Sequence, residues 1–150
     1  MKKHLLLLLA VIALALGSVA CGSKASSEDS EDSRVSPTSK FVDVINDATE
    51  KVYSAKSESD IDAIGKEVDA KIKKFKNDDK ELSDDEKSEI VYALTDLVAA
   101  MGCKYAEFQG QTLDASTKAQ VKEYSKTAVE NLTKNCKSIK DFIAAFAELS

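Results

Sequence analysis

Three cysteines and a single histidine are the residues with the clearest capacity for chemistry in this chain of 150 residues. His4 lies within residues 1–20, which we predict to be a removable export signal, so the exported chain contains no histidine. Zinc and iron sites usually need imidazole or several thiolates, and Ser–His–Asp catalysis needs a histidine. We therefore predict a protein that is not an enzyme and that holds no metal and no cofactor.

Residues 1–20 have the layout of an export signal. Two lysines near the start precede twelve apolar residues at 5–16, and small residues lead up to Cys21. Twelve apolar residues are too few to cross a hydrocarbon core of about 30 Å. The pattern predicts a cleaved signal peptide rather than a transmembrane helix.

The segment Ser18-Val19-Ala20-Cys21 resembles the lipobox of bacterial lipoproteins. The resemblance implies that the Cys21 thiol receives fatty acyl chains, of which palmitate is typical, and that Cys21 becomes the first residue of an anchored protein. Lipidation would also remove the odd thiol of an exported chain with three cysteines. Ser18 stands where the family usually has Leu. Because small residues also suit ordinary signal peptidase, a soluble secreted form is the alternative.

Residues 21–36 are rich in serine and poor in large apolar residues, so they predict a flexible tether spanning about 20 Å root-mean-square. Their acidic residues are Glu28, Asp29, Glu31 and Asp32. This acidic cluster resembles the surface-export signal of lipoproteins in Bacteroidota, while plain solubility explains it equally well. Gly22 stands where enterobacterial lipoproteins retained in the inner membrane have Asp, which favours an outer-membrane location in the cell envelope.

Residues 37–150 have the composition of a helical domain, with one proline and three glycines. Apolar residues recur there at spacings of three and four, which predicts amphipathic helices. We predict an all-α bundle of four to five helices. The helices are expected from Pro37 (cap Ser36), after residues 57–59, over about 84–109 (capping box Ser83 to Glu86), over about 116–134 and from Ser138.

The long helix predicted over about 84–109 is apolar on two opposite sides, which is typical of a central helix. The two stripes are Ile90, Leu94, Leu97, Met101, Tyr105 and Phe108 on one side, and Tyr92, Ala99, Cys103 and Ala106 on the other. The small residues of the second stripe are expected to admit a close neighbour. The next helix is expected to bury Val121, Tyr124, Ala128 and Leu132.

Cys103 and Cys136 lie where an exported protein could form a disulfide. If the two helices that contain them form a regular antiparallel hairpin, the thiols differ by about 20 Å in height at 1.5 Å per residue. A bridge needs Cα atoms within about 7 Å, so it requires a broken or shortened helix. Both a bridge and two free thiols remain open.

Asp96 is a charged side chain inside the apolar run 90–103. If it were buried, its carboxyl would have a raised pKa and could act as an acid or a ligand. The alternative is a partly exposed residue paired with a lysine. The acidic run 77–86 is expected to be a linker and a helix start, because it lacks the glycine that a calcium loop needs at its sixth position.

Lys118, Lys122 and Lys126 recur at four-residue spacing and so share one helix face, with Lys134, Lys137 and Lys140 further along. Such a basic ridge could meet an anionic glycan, lipid headgroup or partner, or it could be a solvated face. The exported chain has 19 basic and 26 acidic residues, a formal net charge of −7. This acidity argues against a nucleic-acid partner.

Together, the lipobox, acidic tether and capped helices resemble the small helical lipoproteins of unknown function found in gut Bacteroidota. The sequence favours an envelope lipoprotein, bound to the membrane through its lipid, whose helical domain binds a protein or acts as an accessory subunit. The alternative is a module that binds a small or anionic ligand in a groove between helices. An exposed apolar patch would indicate a protein partner, and an enclosed apolar pocket would indicate a ligand.

Overall fold

The computed structural model describes residues 36–149. The predicted signal peptide, the predicted lipid site Cys21 and the predicted tether up to residue 35 lie outside the described residues. The described chain forms five α-helices and no strand, which confirms the predicted all-α fold. The helices are α1 (Pro37–Ser54), α2 (Glu58–Ile72), α3 (Asp84–Phe108), α4 (Ala115–Thr133) and α5 (Ile139–Leu149).

The helices begin where side chains cap them. The Ser36 hydroxyl accepts a hydrogen bond from the Ser39 N–H, and Pro37 occupies the first turn, where its missing N–H is not needed. At α3 the Ser83 hydroxyl accepts from the Glu86 N–H at 3.2 Å, while the Glu86 carboxylate accepts from the Ser83 N–H at 2.9 Å. This is the predicted capping box. Reciprocal pairs also start α2 (Ser57 with Asp60) and α5 (Ser138 with Asp141).

The helix ends also follow from local chemistry. After α2 the chain tightens into a 3-10 turn at Lys73–Phe75, which still buries Phe75 edge-on against Phe41 at 5.6 Å. After α3, Gly110 adopts a φ of +80°, a conformation that glycine reaches without steric cost. The Gly110 and Gln111 N–H groups then bond back to the carbonyls of Glu107 and Ala106, which is a Schellman ending.

The longest helix, α3, is central: α1 and α4 both pack along it, α2 packs mainly on α1, and α5 on α4. The Thr38 hydroxyl donates to the Glu86 carboxylate at 3.0 Å, and the far end of α1 lies beside Cys103, so α1 and α3 run parallel. Helix α4 runs antiparallel to α3. The predicted hub is therefore confirmed, with α2 as the crossover that allows a parallel α1–α3 pair.

One continuous hydrophobic core joins all five helices. The first predicted stripe of α3 belongs to it, with Ile90, Leu94 and Leu97 buried and Met101 packed at its edge. A second, smaller cluster forms where Val121 of α4 packs on Ala99 and Cys103 of α3. The small-residue side of α3 does receive a close neighbour, as expected.

The buried face of α4 is rotated by a fraction of a turn from the predicted one: Val121 is buried as expected, Ala128 and Leu132 are half-buried, and Tyr124 is exposed. Tyr124 is 36% exposed, and the residues that are buried recur every four positions: Val121, Ser125, Val129 and Thr133. The Ser125 hydroxyl donates to the Val121 carbonyl, and the Thr133 hydroxyl donates to the Val129 carbonyl, both at 2.7 Å. Because these bonds satisfy the hydroxyls within the helix, the two polar residues can be buried.

Candidate functional site

A groove of about 450 Å³ lies between α1, α3 and α4, and α3 forms its floor. Tyr53 forms the α1 wall, near the end of that helix. The other lining residues are Asp96, Ala99, Cys103, Lys104 and Glu107 from α3, and Lys118, Ala119 and Lys122 from α4. The groove is open to solvent, and most of its larger side chains are charged.

Asp96 forms an ion pair across the groove. Its carboxylate lies 3.0 Å from the Lys122 ammonium, and the two side chains are 45% and 54% exposed. The interpretation of Asp96 as a buried acid is therefore wrong, and the lysine-paired alternative is confirmed. Because both partners reach water, the pair contributes little to stability.

The lysines of the groove outnumber its carboxylates. Lys104 pairs with Glu107 at 3.2 Å, one turn along α3. Lys118 is exposed, and no carboxylate oxygen within the described range 36–149 comes within 4 Å of its ammonium. The groove thus combines three ammonium groups with two carboxylates, on a chain whose formal net charge is −5.

The two cysteines within residues 36–149, Cys103 and Cys136, have free thiols and lie in different clusters. Cys103 packs with Ala99 and Val121 at the groove floor, whereas Cys136 packs at the edge of the main core. Burial raises the pKa of both thiols, and for Cys103 the nearby Lys118 opposes that rise. Both groups are therefore neutral near pH 7, and Cys103 gives the floor a small, uncharged surface.

Two exposed tyrosines lie on the groove side of the bundle: Tyr53 lines the groove itself, and Tyr92 is placed on that side of α3 by its helical spacing. Tyr53 is 60% exposed and Tyr92 is 62% exposed. Tyr92 lies one turn before Asp96 and three turns before Cys103, so it projects from the groove side of α3. Their rings add exposed apolar surface to a side of the bundle that also carries the charged residues of the groove.

The structure brings together only part of the predicted basic ridge. Lys118 and Lys122 line the groove, while Lys126 lies one turn further along α4, 4.0 Å from Glu130. The second group (Lys134, Lys137, Lys140) is exposed at the other end of the bundle. Its backbone is bonded to the chain between α2 and α3, through Leu82 N–H to Lys137 C=O and Lys140 N–H to Asp78 C=O.

The acidic run divides as expected into a connection at 76–83 and the first turn of α3. Across residues 36–149 the structure gathers no set of three His, Cys, Asp or Glu side chains that could hold a metal ion. Sequence reasoning missed Tyr53, Lys104 and Glu107 as groove residues. A tyrosine adjacent to the apolar stripe of its helix, rather than on it, is the signal that could have identified Tyr53.

Comparison of the chain with protein-family models, with curated proteins and with solved structures found no match. Within the described part of the chain, none of the helices combines the length and the hydropathy of a membrane-crossing segment.

Proposed function

We propose that this protein is a bacterial envelope lipoprotein, anchored through acyl chains on Cys21, whose helical domain binds another protein. The lipobox-like segment before Cys21 supports the anchor, and the small helical lipoproteins that the chain resembles support the envelope location. The proposal includes no catalytic step and no nucleic-acid partner.

The exposed tyrosines carry the protein-binding part of the proposal. Tyr53 lines the groove and Tyr92 projects from the groove side of α3, and each leaves more than half of its surface in water. Tyrosine is enriched in protein interfaces because its ring offers a large apolar area and its hydroxyl tolerates water. The groove-side surface of α1, α3 and α4 is therefore the docking surface that we assign to the partner, and we call it the tyrosine face.

The shape of the groove favours a protein over an enclosed small ligand. Small-molecule pockets bury most of their ligand and are lined mainly by apolar side chains. Here five of the nine lining side chains are charged (Asp96, Lys104, Glu107, Lys118 and Lys122), and the groove is partly open to solvent. Polar rims with aromatic anchors are typical of protein–protein interfaces.

Replacement of Cys21 tests the anchor. We expect Cys21→Ser to move the protein out of the membrane fraction, since without a lipid on Cys21 the described helices offer no membrane-crossing segment. Cys103→Ser serves as the matched control and should leave the protein in membranes. Retention of Cys21→Ser in carbonate-washed membranes, or an intact mass without acyl chains, would contradict the anchor.

Site-specific photo-cross-linking in the native envelope tests the docking surface. A photoreactive residue at position 92 should give a discrete adduct, and one at position 69, exposed on α2, should not. Tyr53→Ala should weaken the adduct from position 92, because it removes exposed aromatic surface from the tyrosine face. Equal adducts from both positions, or an adduct with twice the mass of the chain, would argue against a distinct partner at this face.

A further inference from the structure

We infer that the partner presents an acidic segment to the tyrosine face, with a carboxylate seated against Lys118 in the groove. This inference rests on the proposed function and names the chemistry of its partner. It is carried by the cation excess of the groove, by the exposure of Lys118, and by the exposed aromatic surface of Tyr53 and Tyr92.

Among the three groove lysines, Lys118 has the ammonium group that a bound ligand could pair with. The ammonium groups of Lys104 and Lys122 already lie 3.2 Å and 3.0 Å from carboxylates of this chain. Lys118 lies above Cys103 at the groove floor, without a carboxylate within 4 Å in the part of the chain that the structure describes. A carboxylate brought there completes a third ion pair and leaves the groove balanced.

The remaining surfaces of the groove fit the stem of such a side chain. Ala99, Ala119 and Cys103 are small, and the neutral thiol adds no charge. Methylene groups can pack on this floor while the carboxylate reaches Lys118. Tyr53 lines the same groove, and Tyr92 projects from the same side of α3, one turn before Asp96; both are exposed and can cover apolar residues of the same segment.

The charges that surround the seat limit what can bind. Asp96 and Glu107 border the groove, so a second negative charge placed deep in it would meet repulsion. A segment that carries single carboxylates, spaced by apolar residues, fits better than a phosphate dianion. A basic segment would leave Lys118 unpaired and bring like charges together.

Paired synthetic peptides test the inference on the chain from residue 21 onward with Cys21→Ser, which retains every described residue. The probes are an amphipathic peptide of about 16 residues, with Glu at every fourth position between Leu and Ala, and its Gln counterpart with the same apolar residues. Nitrogen–proton correlation spectra report which amides shift. We expect the Glu peptide to shift resonances of α3 and α4 around the groove and to bind more tightly than the Gln peptide.

Lys118→Met should weaken the Glu peptide about two- to fivefold, which is the range expected for one partly exposed ion pair. Lys126→Met removes the same charge from the same helix outside the groove and should leave the affinity unchanged. Raising the salt from about 20 mM to about 300 mM should erase most of the Glu preference. Equal binding of the two peptides, or equal effects of the two variants, would overturn the inference.

The acidic residues of this chain at 28–32 provide the competing occupant. Replacing Glu28, Asp29, Glu31 and Asp32 by their amides should leave the resonances around Lys118 in place. If those resonances shift, the occupant belongs to this chain and the inference of an acidic partner falls. If position 92 cross-links a partner that the Glu peptide does not displace, the proposed function stands and only the acidic chemistry is wrong.

Discussion

The seam between α1 and α2 and the seam between α3 and α4 use the same residue types with opposite outcomes. In the first, Asp47, Lys51, Glu67 and Lys71 form a closed quartet. Each ammonium lies within 3.1 Å of both carboxylates, at 3.1 and 2.5 Å for Lys51 and at 3.0 and 2.7 Å for Lys71. Every charge in the quartet has two partners within the protein.

The second seam leaves its charges unbalanced. Asp96 has one lysine partner across the seam, and Lys118 has no carboxylate within 4 Å among residues 36–149. The two seams therefore have similar charge content but differ in how completely their charges are paired. What distinguishes the α3–α4 seam is the pairing left incomplete beside an open groove.

Leu94→Asp should have the largest effect, because α1 and α4, one helix from each seam, both pack along α3. Leu94 is 2% exposed in the shared core, and an unpaired buried carboxylate costs several kcal/mol. We expect loss of the cooperative thermal transition in circular dichroism. Tyr92→Asp, on the exposed side of the same helix, should change stability by less than about 0.5 kcal/mol. Equal melting curves for Leu94→Asp and the parent would remove α3 from the core.

Glu86→Ala should have the next largest effect and should exceed that of Asp60→Ala, the corresponding capping residue of α2. Glu86 completes the capping box of α3 and also accepts the hydroxyl of the buried Thr38 of α1. We expect a loss of about 1 to 2 kcal/mol by urea denaturation. If Asp60→Ala proves equally damaging, the Thr38 contact adds nothing.

Thr95→Val should stabilise the protein, by about 1 kcal/mol. The Thr95 hydroxyl is buried in α3 with no hydrogen-bond partner in the described chain. Thr49→Val in α1 is the matched control. Its hydroxyl donates to the Ile45 carbonyl at 3.0 Å, so its loss should be neutral or slightly destabilising. A shift of the urea midpoint in the same direction for both variants would contradict this difference between the helices.

Acid should reveal the quartet, with the smallest effect. Bonds to Lys71 and Lys51 lower the pKa of Asp47, and bonds to the same lysines, Lys51 first, lower the pKa of Glu67. The folded pKa lies below the unfolded one in each case. This stabilisation is therefore complete above the ordinary values of 3.8 and 4.5 and is lost as the pH falls through the folded pKa values.

The lysines behave in the opposite sense. The carboxylates raise the pKa of Lys51 and Lys71 above 10.5, so the lysines' contribution to stability is complete below pH 10.5 and is lost as the pH rises through the folded pKa values.

Melting temperatures measured from about pH 6 to about pH 2 should fall less for the double variant Asp47→Asn, Glu67→Gln than for the parent. The comparison with the double variant is needed because four other carboxyl groups also have lowered pKa values and destabilise both proteins in acid: Glu86, Asp60, Asp114 and Asp141. Identical slopes for the two proteins would show that the quartet adds no acid dependence.

The helices were predictable because their signals are local. Each helix start is indicated by residues no more than four positions apart, such as Ser36 with Pro37 and Ser83 with Glu86. The stripe of Phe41, Ile45 and Val52 is likewise visible without any neighbour. The predicted and observed helices differ only at their end residues. Ala55 shows why: it is buried like a residue of the helix stripe, but it caps α1 and is not helical.

The groove was not predictable because its residues meet only through tertiary packing. The spacing of Lys118 and Lys122 places both on one face of α4. It does not reveal that Lys122 pairs with Asp96, or that no carboxylate among residues 36–149 lies within 4 Å of the Lys118 ammonium. The buried face of α4 differs from the predicted one for a related reason. A hydropathy pattern counts Ser125 as polar, whereas its bond to the Val121 carbonyl makes it suitable for burial.

The parallel pairing of α1 with α3 affects the order in which the helices fold together. Thr38 and Glu86 are 48 residues apart, whereas α3 and α4 are joined by a short turn at Gly110. Contacts that are distant along the chain form more slowly, since a longer loop must close first. We expect the α3–α4 hairpin to assemble early and α1 to join late, so the Tyr53 wall is added last.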